Sequence, residues 1–413
     1  MHCSPRFVGA PLSPGMLRSD PEIAVVGGGI CGLTTALALE RRGFDPTVYE
    51  AAAEYRPVGA GILLQTNALL VLDRLGVADR VRDAGVSLTE SLIRSPSGSV
   101  LQRLDLDGVE RTEFGYVHVA VHRATLLDIL RTALDTTVET GMRCRDVAET
   151  APGTVTFEDG TRVRPDVLVG ADGIDSVVRD AVAPGVDPRP LDAVVYRALV
   201  DVDLPERHRD RGVEVWGDGS YAGGAPVGDG RFYWFGTAPE PVVGSGADPA
   251  TRMAALRERF GKFPDPIPTA LDHAESADVI VTELADVPTL DRWARGSVVL
   301  AGDAAHGMLP FAGQGAAQGI EDGLALAHAI DTHQVPTAAF DAYVTERKAR
   351  AERIRDEARR LGTLGTLQSP LAARARNLAV RAVPNRLFQR FRRQRTVGTS
   401  LPEANTVGGT EPV

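Results

Sequence analysis

Three segments of the chain combine glycines with charged side chains in patterns that suit a phosphorylated ligand. In the first, "GGGICG", Gly27, Gly29 and Gly32 have the spacing G-x-G-x-x-G, after an apolar strand and at the start of a helical pattern. In that context the first glycine makes a turn, the second admits a pyrophosphate, and the third lets the helix pack on the sheet. Glu50 ends the next predicted strand, where a carboxylate can accept hydrogen bonds from ribose hydroxyls. The spacing predicts a dinucleotide site without indicating which dinucleotide.

The second segment, "GADGIDSVVR", covers residues 170–179. Asp172 and Gly173 form a predicted tight turn after a strand, and Ser176 and Arg179 follow on a helix. Two interpretations stay open, because an aspartate at this position can cap the helix, contact a ligand, or do both.

The third segment, "GDAAHGMLPFAGQGAAQGIEDG", lies between an apolar strand and a helix. Asp303 directly follows the strand and can bind a second set of hydroxyls, while Pro310 fixes the backbone. Gly313, Gln314 and Gly315 then open a helix of small residues, whose first N–H groups are free and carry the positive end of the helix dipole. This suits a flat heterocycle that becomes anionic when it is reduced; the alternative is a glycine-rich helix start selected for close packing.

The surrounding pattern predicts an α/β protein interrupted by a β-rich insert. "EIAVVG", the helix after it and "PTVYE" form a β-α-β unit. Between residues 186 and 282, strand-like runs alternate with Gly/Asp turns. The buried-strand pattern returns in "SVVLAGD", and the chain is then helical to about residue 395.

Composition and charge exclude several classes of protein. The 413 residues carry a net charge of −10, which argues against a nucleic-acid surface, and no apolar run approaches the ~20 residues that span a bilayer. The first 20 residues lack the apolar core of a secretory signal, and three scattered cysteines give neither a disulfide framework nor metal-ligand spacing. We therefore expect a cytoplasmic protein without a metal.

Residues 346–395 hold 15 Lys or Arg against four Asp or Glu. Solvated helices are the favoured interpretation of this basic segment, and contact with an acidic partner or anionic lipid is the alternative.

The segments "GADGxxSxxR" and "GDAAHxxxPxxGQGxxxxxED", together with the glycine fingerprint and in this order, resemble the single-component FAD-dependent aromatic hydroxylases. The resemblance covers about residues 22–360. It is to the fold of para-hydroxybenzoate hydroxylase and, more closely, to salicylate, hydroxynicotinate and urate hydroxylases. It implies FAD, NADH or NADPH as reductant, O2 as co-substrate and a small aromatic substrate that gains one oxygen atom through a C4a-hydroperoxyflavin. A monomer or homodimer is expected.

The fold that the resemblance implies is a Rossmann-like FAD-binding domain with an inserted β-sheet substrate domain and C-terminal helices. We expect the following division: a disordered leader at 1–20; the FAD-binding domain at 21–84, 118–185 and 282–362; the substrate-binding sheet at 85–117 and 186–281; basic helices at 363–395; and a disordered tail at 396–413.

The resemblance also implies roles for individual residues. Gly27, Gly29, Gly32 and Glu50 match contacts to adenosine and pyrophosphate, Gly61 lies in a loop near the flavin, and Arg123 matches an arginine that reaches the phosphates. Asp172, Asp303, Pro310, Gly313, Gln314 and Gly315 match the remaining cofactor contacts. Ala51 departs from the pattern, because many relatives have arginine after the glutamate.

For the substrate, the candidates are Tyr221, Tyr233 and Arg197 on the insert strands, although each also has an interpretation as an ordinary sheet residue. Urate hydroxylases tend to carry arginine near the position of Tyr221, which counts against urate. The alternatives are an epoxidase or reductase of isoprenoid or polyketide substrates on the same scaffold, and a non-catalytic flavin-binding protein. Flavin halogenases are disfavoured, since no W-x-W-x-I-P segment occurs.

Overall fold

The computed structural model describes residues 21–56, 59–148, 153–239 and 248–397. The expected leader at 1–20 and all of the expected tail beyond residue 397 lie outside the described residues, as do the first two positions of the loop that contains Gly61.

The bounds of the elements follow in chain order. The strands are β1 Ile23–Val26, β2 Pro46–Glu50, β3 Gly61–Leu64, β4 Val86–Ser87, β5 Glu90–Arg94, β6 Val100–Asp105, β7 Val119–His122, β8 Val138–Thr140, β9 Cys144–Ala148, β10 Thr154–Phe157, β11 Arg162–Val163, β12 Val167–Gly170, β13 Arg189–Asp201, β14 Arg211–Trp216, β15 Tyr221–Gly228, β16 Arg231–Pro239, β17 Ile280–Asp286, β18 Ala294–Arg295 and β19 Val298–Leu300. The helices are α1 Ile30–Glu40, α2 Thr66–Arg74, α3 Ala78–Ala84, α4 Thr112–Phe114, α5 Arg123–Arg131, α6 Val177–Val182, α7 Pro249–Phe260, α8 Ile267–His273, α9 Asp303–His306, α10 Gly315–Thr332, α11 Pro336–Gly365, α12 Pro370–Ala382 and α13 Asn385–Val397.

A six-stranded sheet brings the three glycine-rich segments to one edge. Its order is β18-β19-β12-β1-β2-β8, and every pairing except β18 with β19 is parallel. Val26 pairs with Gly170, and Gly170 pairs with Leu300, so the strands β1, β12 and β19 end side by side. Because parallel strands point the same way, the loops that follow them meet at the carboxyl edge, where α/β proteins bind ligands. The α/β class predicted from the sequence is confirmed.

A seven-stranded sheet of order β17-β13-β16-β15-β14-β5-β6 stands beside it. Strands β5 and β6 precede the rest by about 100 residues of chain, and β5 joins in parallel with β14. Alternate residues of β16 face opposite sides, as strand geometry requires. Trp234 is fully buried against Phe260 of α7, with ring centroids 5.7 Å apart, whereas Tyr233 and Phe235 face a cavity on the other side.

The C-terminal helices differ from the expected solvated pair. Arg376 is buried, donates to the carbonyl oxygens of Trp216 (3.0 Å) and Gly217 (2.8 Å), and lies 5.5 Å from the Trp216 ring centroid. Arg395 is also buried and pairs with Glu357. The solvated interpretation is therefore wrong for these two arginines, because a long guanidinium side chain can bury its stem while satisfying its donors on carbonyls and carboxylates.

The outer surface of the same helices keeps apolar residues in solvent. Leu371 and Leu378 of α12 are 75% and 69% exposed. Within the part of the chain that the structure describes, no helix has the length and apolar character to cross a membrane. Contact of this surface with lipid stays a prediction.

Candidate active site

A cavity of about 500 Å³ opens between the carboxyl edge of the six-stranded sheet and the inner face of the seven-stranded sheet. Eleven of the residues predicted from the sequence line it: Gly29, Gly61, Arg123, Arg197, Tyr221, Tyr233, Asp303, Pro310, Gly313, Gln314 and Gly315. Residues separated by nearly 300 positions in the chain thus share one chamber. Gly27, Gly32, Glu50, Ala51 and Asp172 do not line it and stand behind or beside its wall.

The glycine fingerprint leaves room for a ligand at one position only. Gly29 precedes α1 without a side-chain cap, and a Cβ atom placed there meets nothing within 4 Å. Gly27 has φ +107°, and a Cβ atom there would lie 2.3 Å from the Ala171 carbonyl oxygen. A Cβ atom at Gly32 would lie 1.8 Å from the Gly27 oxygen. Uncapped helix N–H groups beside open space form a site for a phosphate anion.

Glu50 is already engaged with the backbone of the fingerprint loop. Its carboxylate accepts from the amides of Gly28 (2.8 Å) and Ala52 (2.7 Å). The hydroxyl of Tyr55, which the sequence did not single out, donates to the Gly28 carbonyl oxygen at 2.9 Å. Glu50 therefore fixes the loop, and its contact with a ribose stays a prediction.

Asp172 bonds to the first amides of α6 from the preceding turn, whereas the N-cap residue of that helix is Ser176, whose hydroxyl accepts from the Arg179 amide at 2.9 Å. Its carboxylate accepts from the Ser176 hydroxyl (2.5 Å) and from the amides of Val177 (2.8 Å) and Val178 (3.1 Å) at the start of α6. Burial raises the pKa of Asp172, and these hydrogen bonds oppose that rise. The neighbouring residues, Ala171 and Gly173, line the cavity. The sequence could not choose between capping and ligand contact, and the second stays a prediction.

The loop before α10 is held by a buried amide cluster. Gln314 is fully buried; its side-chain nitrogen donates to Gln65 (2.7 Å), and its side-chain oxygen accepts from Asn67 (3.0 Å) and Gln318 (2.9 Å). Gln65 also donates to the Ala312 carbonyl oxygen at 2.9 Å. The Gln314 amide is thus used inside the protein, which leaves the backbone of the loop and the uncapped start of α10 to face a ligand.

A network of buried charged side chains lies beneath this loop and connects the elements around it. Arg347 donates to Asp322 (2.8 Å) and pairs with Glu321, while Asp322 accepts from the Gly302 amide (2.9 Å) and bonds to His306 (2.5 Å). Burial alone would raise the pKa of Asp322, but His306 and Arg347 outweigh it and hold that pKa well below its usual value. The network ties α10 and α11 to the turn that precedes Asp303.

The opposite end of the cavity is aromatic. Tyr221 lies with ring centroids 5.3 Å from Phe235 and 5.4 Å from Phe311, and Tyr233 lies 5.9 Å from Phe235. Flat apolar walls of this kind suit a flat aromatic ligand.

Polar groups interrupt that aromatic wall at two points. The Arg197 guanidinium lies beside the Tyr233 hydroxyl, and the Glu214 carboxylate lies beside the Tyr221 hydroxyl. Burial, and then Glu214, raise the pKa of Tyr221 well above its usual value, so its hydroxyl stays protonated near neutral pH.

The sequence analysis missed several lining residues, above all Glu214 and Arg392. Glu214 sits in "GVEVWG", where its alternation with two valines places it on the face opposite theirs, a signal that could have been used. Arg392 belongs to α13, far along the chain, and nothing in the local sequence distinguishes it from the other arginines of that helix.

Comparisons with known proteins agree with this geometry. A family model described as an FAD binding domain matches residues 20–358. Aurachin C monooxygenase/isomerase from Stigmatella aurantiaca is 33% identical, covering 91% of this chain and 98% of that protein. A 3-amino-4-hydroxybenzoate 2-monooxygenase from Streptomyces cremeus is 34% identical, covering 94% and 98%. The crystal structure of Klebsiella pneumoniae HpxO with FAD and uric acid superimposes with a TM-score of 0.83 at 28% identity, covering 92% and 97%.

The fold and the site define a flavoprotein monooxygenase. The chain belongs to the FAD-binding family of aromatic hydroxylases, as its three motifs predicted.

Proposed function

We propose that this enzyme consumes NADH or NADPH and O2 to place one oxygen atom on an aromatic or heteroaromatic substrate. The observation that supports the proposal is the cavity itself. One end has the open space beside Gly29 and the start of α10, and the other end has the aromatic wall around Tyr221. A dinucleotide cofactor and a flat substrate would thus meet in one chamber.

The residues of the chain fit FAD. The amides at the start of α1 would hold the pyrophosphate, and Arg123 and Asp303 have side chains open to the cavity for the phosphates and hydroxyls. The N-terminus of α10 would lie against the flavin ring, where its dipole favours negative charge. Bound FAD would supply hydride acceptance and oxygen activation, which amino-acid side chains lack.

The chain would then orient and shield the substrate. Phe235 and Phe311 would exclude water from the reacting ring, and the neighbouring side chains of Tyr221 and Glu214 offer an acceptor for the proton of a substrate hydroxyl. A phenol that loses this proton is more nucleophilic, so the pair would favour attack on an electrophilic oxygen.

The test is oxidation of NADH and NADPH by the FAD-loaded protein in air, against a panel of phenolic and heteroaromatic acids, with ¹⁸O2 and product mass. A compound that accelerates oxidation and gains one ¹⁸O atom supports the proposal. Yellow protein that no aromatic compound accelerates would contradict it.

The relative named for aurachin C favours a second candidate, a reaction on an aurachin-type substrate. Aurachins therefore belong in the panel. Acceleration by an aurachin together with indifference to hydroxybenzoates would favour this candidate over the first.

A further inference from the structure

Helix α13 lies at the aromatic end of the cavity, and the family match ends well before it, at residue 358. It packs on the edge strand β6 and on α2. Its residue Arg392 lines the cavity together with Tyr221 and Glu214. A segment that looked like a solvated basic helix thus forms part of the binding chamber.

Arg395 anchors the helix in this position. Its guanidinium donates to Glu357 (3.3 Å) and to the carbonyl oxygen of Ala312 (3.4 Å), which also lines the cavity. Its own carbonyl oxygen accepts from Arg350. Residues three apart share a helix face, so the anchoring of Arg395 fixes where the half-buried Arg392 points.

Among the residues that the structure describes, Arg392 has no neutralising partner at bonding distance. No carboxylate of the described residues forms an ion pair or a hydrogen bond with it, although it feels the charges of Glu214 and Glu110. Glu214 accepts a hydrogen bond from the Trp216 ring nitrogen (3.3 Å) and lies beside the Tyr221 hydroxyl. A half-buried guanidinium that faces a cavity without a partner favours an anionic ligand.

The other cations of the cavity are placed differently. Arg197 donates to the Thr282 hydroxyl at 3.4 Å, and Arg123 interacts electrostatically with Asp303 of the third glycine-rich segment. Arg392 is therefore the lining arginine of the aromatic end that is neither hydrogen-bonded nor ion-paired within the described residues.

We propose that Arg392 binds a carboxylate of the aromatic substrate and thereby orients the ring against Tyr221 and Phe311. This rests on the proposed function, because it assigns the substrate end of the same cavity. Arg392 is a positioning residue in this scheme, and the enzyme's substrates are aromatic acids.

The test compares 3-hydroxybenzoate with 3-hydroxybenzamide, which keeps the ring and hydroxyl but replaces the carboxylate by a neutral amide. Each is titrated into the FAD-loaded protein, and binding is followed by the change in the visible absorbance of the flavin. We expect the acid to bind on the order of tenfold more tightly than the amide, as for a hydrogen bond to a charged group.

The variants are Arg392→Gln and Arg392→Lys, with Arg393→Gln as the matched control. Arg393 is exposed on the same helix and pairs with Glu113. Arg392→Gln should lose the preference for the acid while the dissociation constant of the amide changes less than about twofold; Arg392→Lys should keep part of the preference, and Arg393→Gln all of it.

Equal binding of the two probes by the parent protein would overturn the inference. So would failure of both to bind, or an equal weakening of both by Arg392→Gln. The titration needs no turnover, so it separates this inference from the proposed reaction. A carboxylate preference that depends on Arg392, without oxygen transfer to any compound, would refute the reaction and leave the site standing.

Discussion

Substitution of the fingerprint glycines by alanine should separate cofactor binding from folding. Gly29 has φ −77°, which alanine adopts freely, and open space where the methyl group would go. Gly29→Ala should therefore leave the stability of the apoprotein unchanged or raise it by up to about 1 kcal/mol, since alanine restricts the unfolded chain. The same methyl group would fill the cradle beside the first amides of α1, so FAD affinity should fall on the order of tenfold or more, about 1.4 kcal/mol.

Gly27→Ala should show the reverse. Its φ of +107° costs an alanine about 1–2 kcal/mol, and the 2.3 Å approach to the Ala171 oxygen adds about 1–3 kcal/mol of overpacking. Its apoprotein should be less stable by about 2–5 kcal/mol. Denaturation of both apoproteins in urea, and titration with FAD followed by quenching of flavin fluorescence, measure the two effects. Unchanged FAD affinity in Gly29→Ala, or equal destabilisation by the two substitutions, would refute the reasoning.

Three further predictions concern the buried network and the aromatic end. Arg347→Met removes the arginine that pairs with both buried carboxylates, of which Glu321 keeps Arg350 and Asp322 keeps His306. It should cost about 3 kcal/mol of stability, whereas Arg353→Met, at an exposed position of the same helix, should cost less than about 0.5 kcal/mol in the same urea titration. Burial would raise the pKa of Glu321, but neighbouring arginines lower it to about 2. The stability that Glu321 contributes is therefore present above about pH 4.5 and is lost as the pH falls towards 2. Glu321→Gln should flatten that part of the curve of urea midpoint against pH, and an unchanged slope would contradict the assignment. Tyr221→Phe keeps the aromatic wall but removes the hydroxyl that lies beside Glu214. Its kcat/KM should therefore fall on the order of tenfold or more while FAD affinity stays constant, and a kcat/KM equal to that of the parent would remove Tyr221 from the reaction.

Local sequence pattern was enough to predict the glycine turn and the helix starts at the carboxyl edge of the six-stranded sheet. Strand β1 is a continuous buried apolar run, and the glycines after it obey hard steric limits, so their spacing alone predicted a turn, a cradle and a close helix contact. The third segment likewise predicted a helix start with free amides, which α10 has at Gly315. Steric constraints of this kind act over a few neighbouring residues, so the amino-acid sequence alone reveals them.

The tertiary structure decided which residues share the chamber. Strand register brought Gly170 beside Val26 and Leu300, and the alternation of β16 selected Tyr233 and Phe235 rather than Trp234 for the cavity face. The sequence predicted tyrosines on these strands but could not fix their side of the sheet, because a shift of one residue in register moves every side chain to the other face.

Long-range packing also decided the roles of charged residues that look alike in sequence. In α13, Arg393 is exposed and pairs with Glu113, Arg395 is buried against Glu357, and Arg392 lines the cavity. The sequence by itself determined the family and the flavin cofactor, and it predicted the motifs that would hold it. Which arginine of α13 lines the cavity depended on how this helix docks onto strand β6, nearly 300 positions earlier in the chain, and local pattern carries no information about that contact.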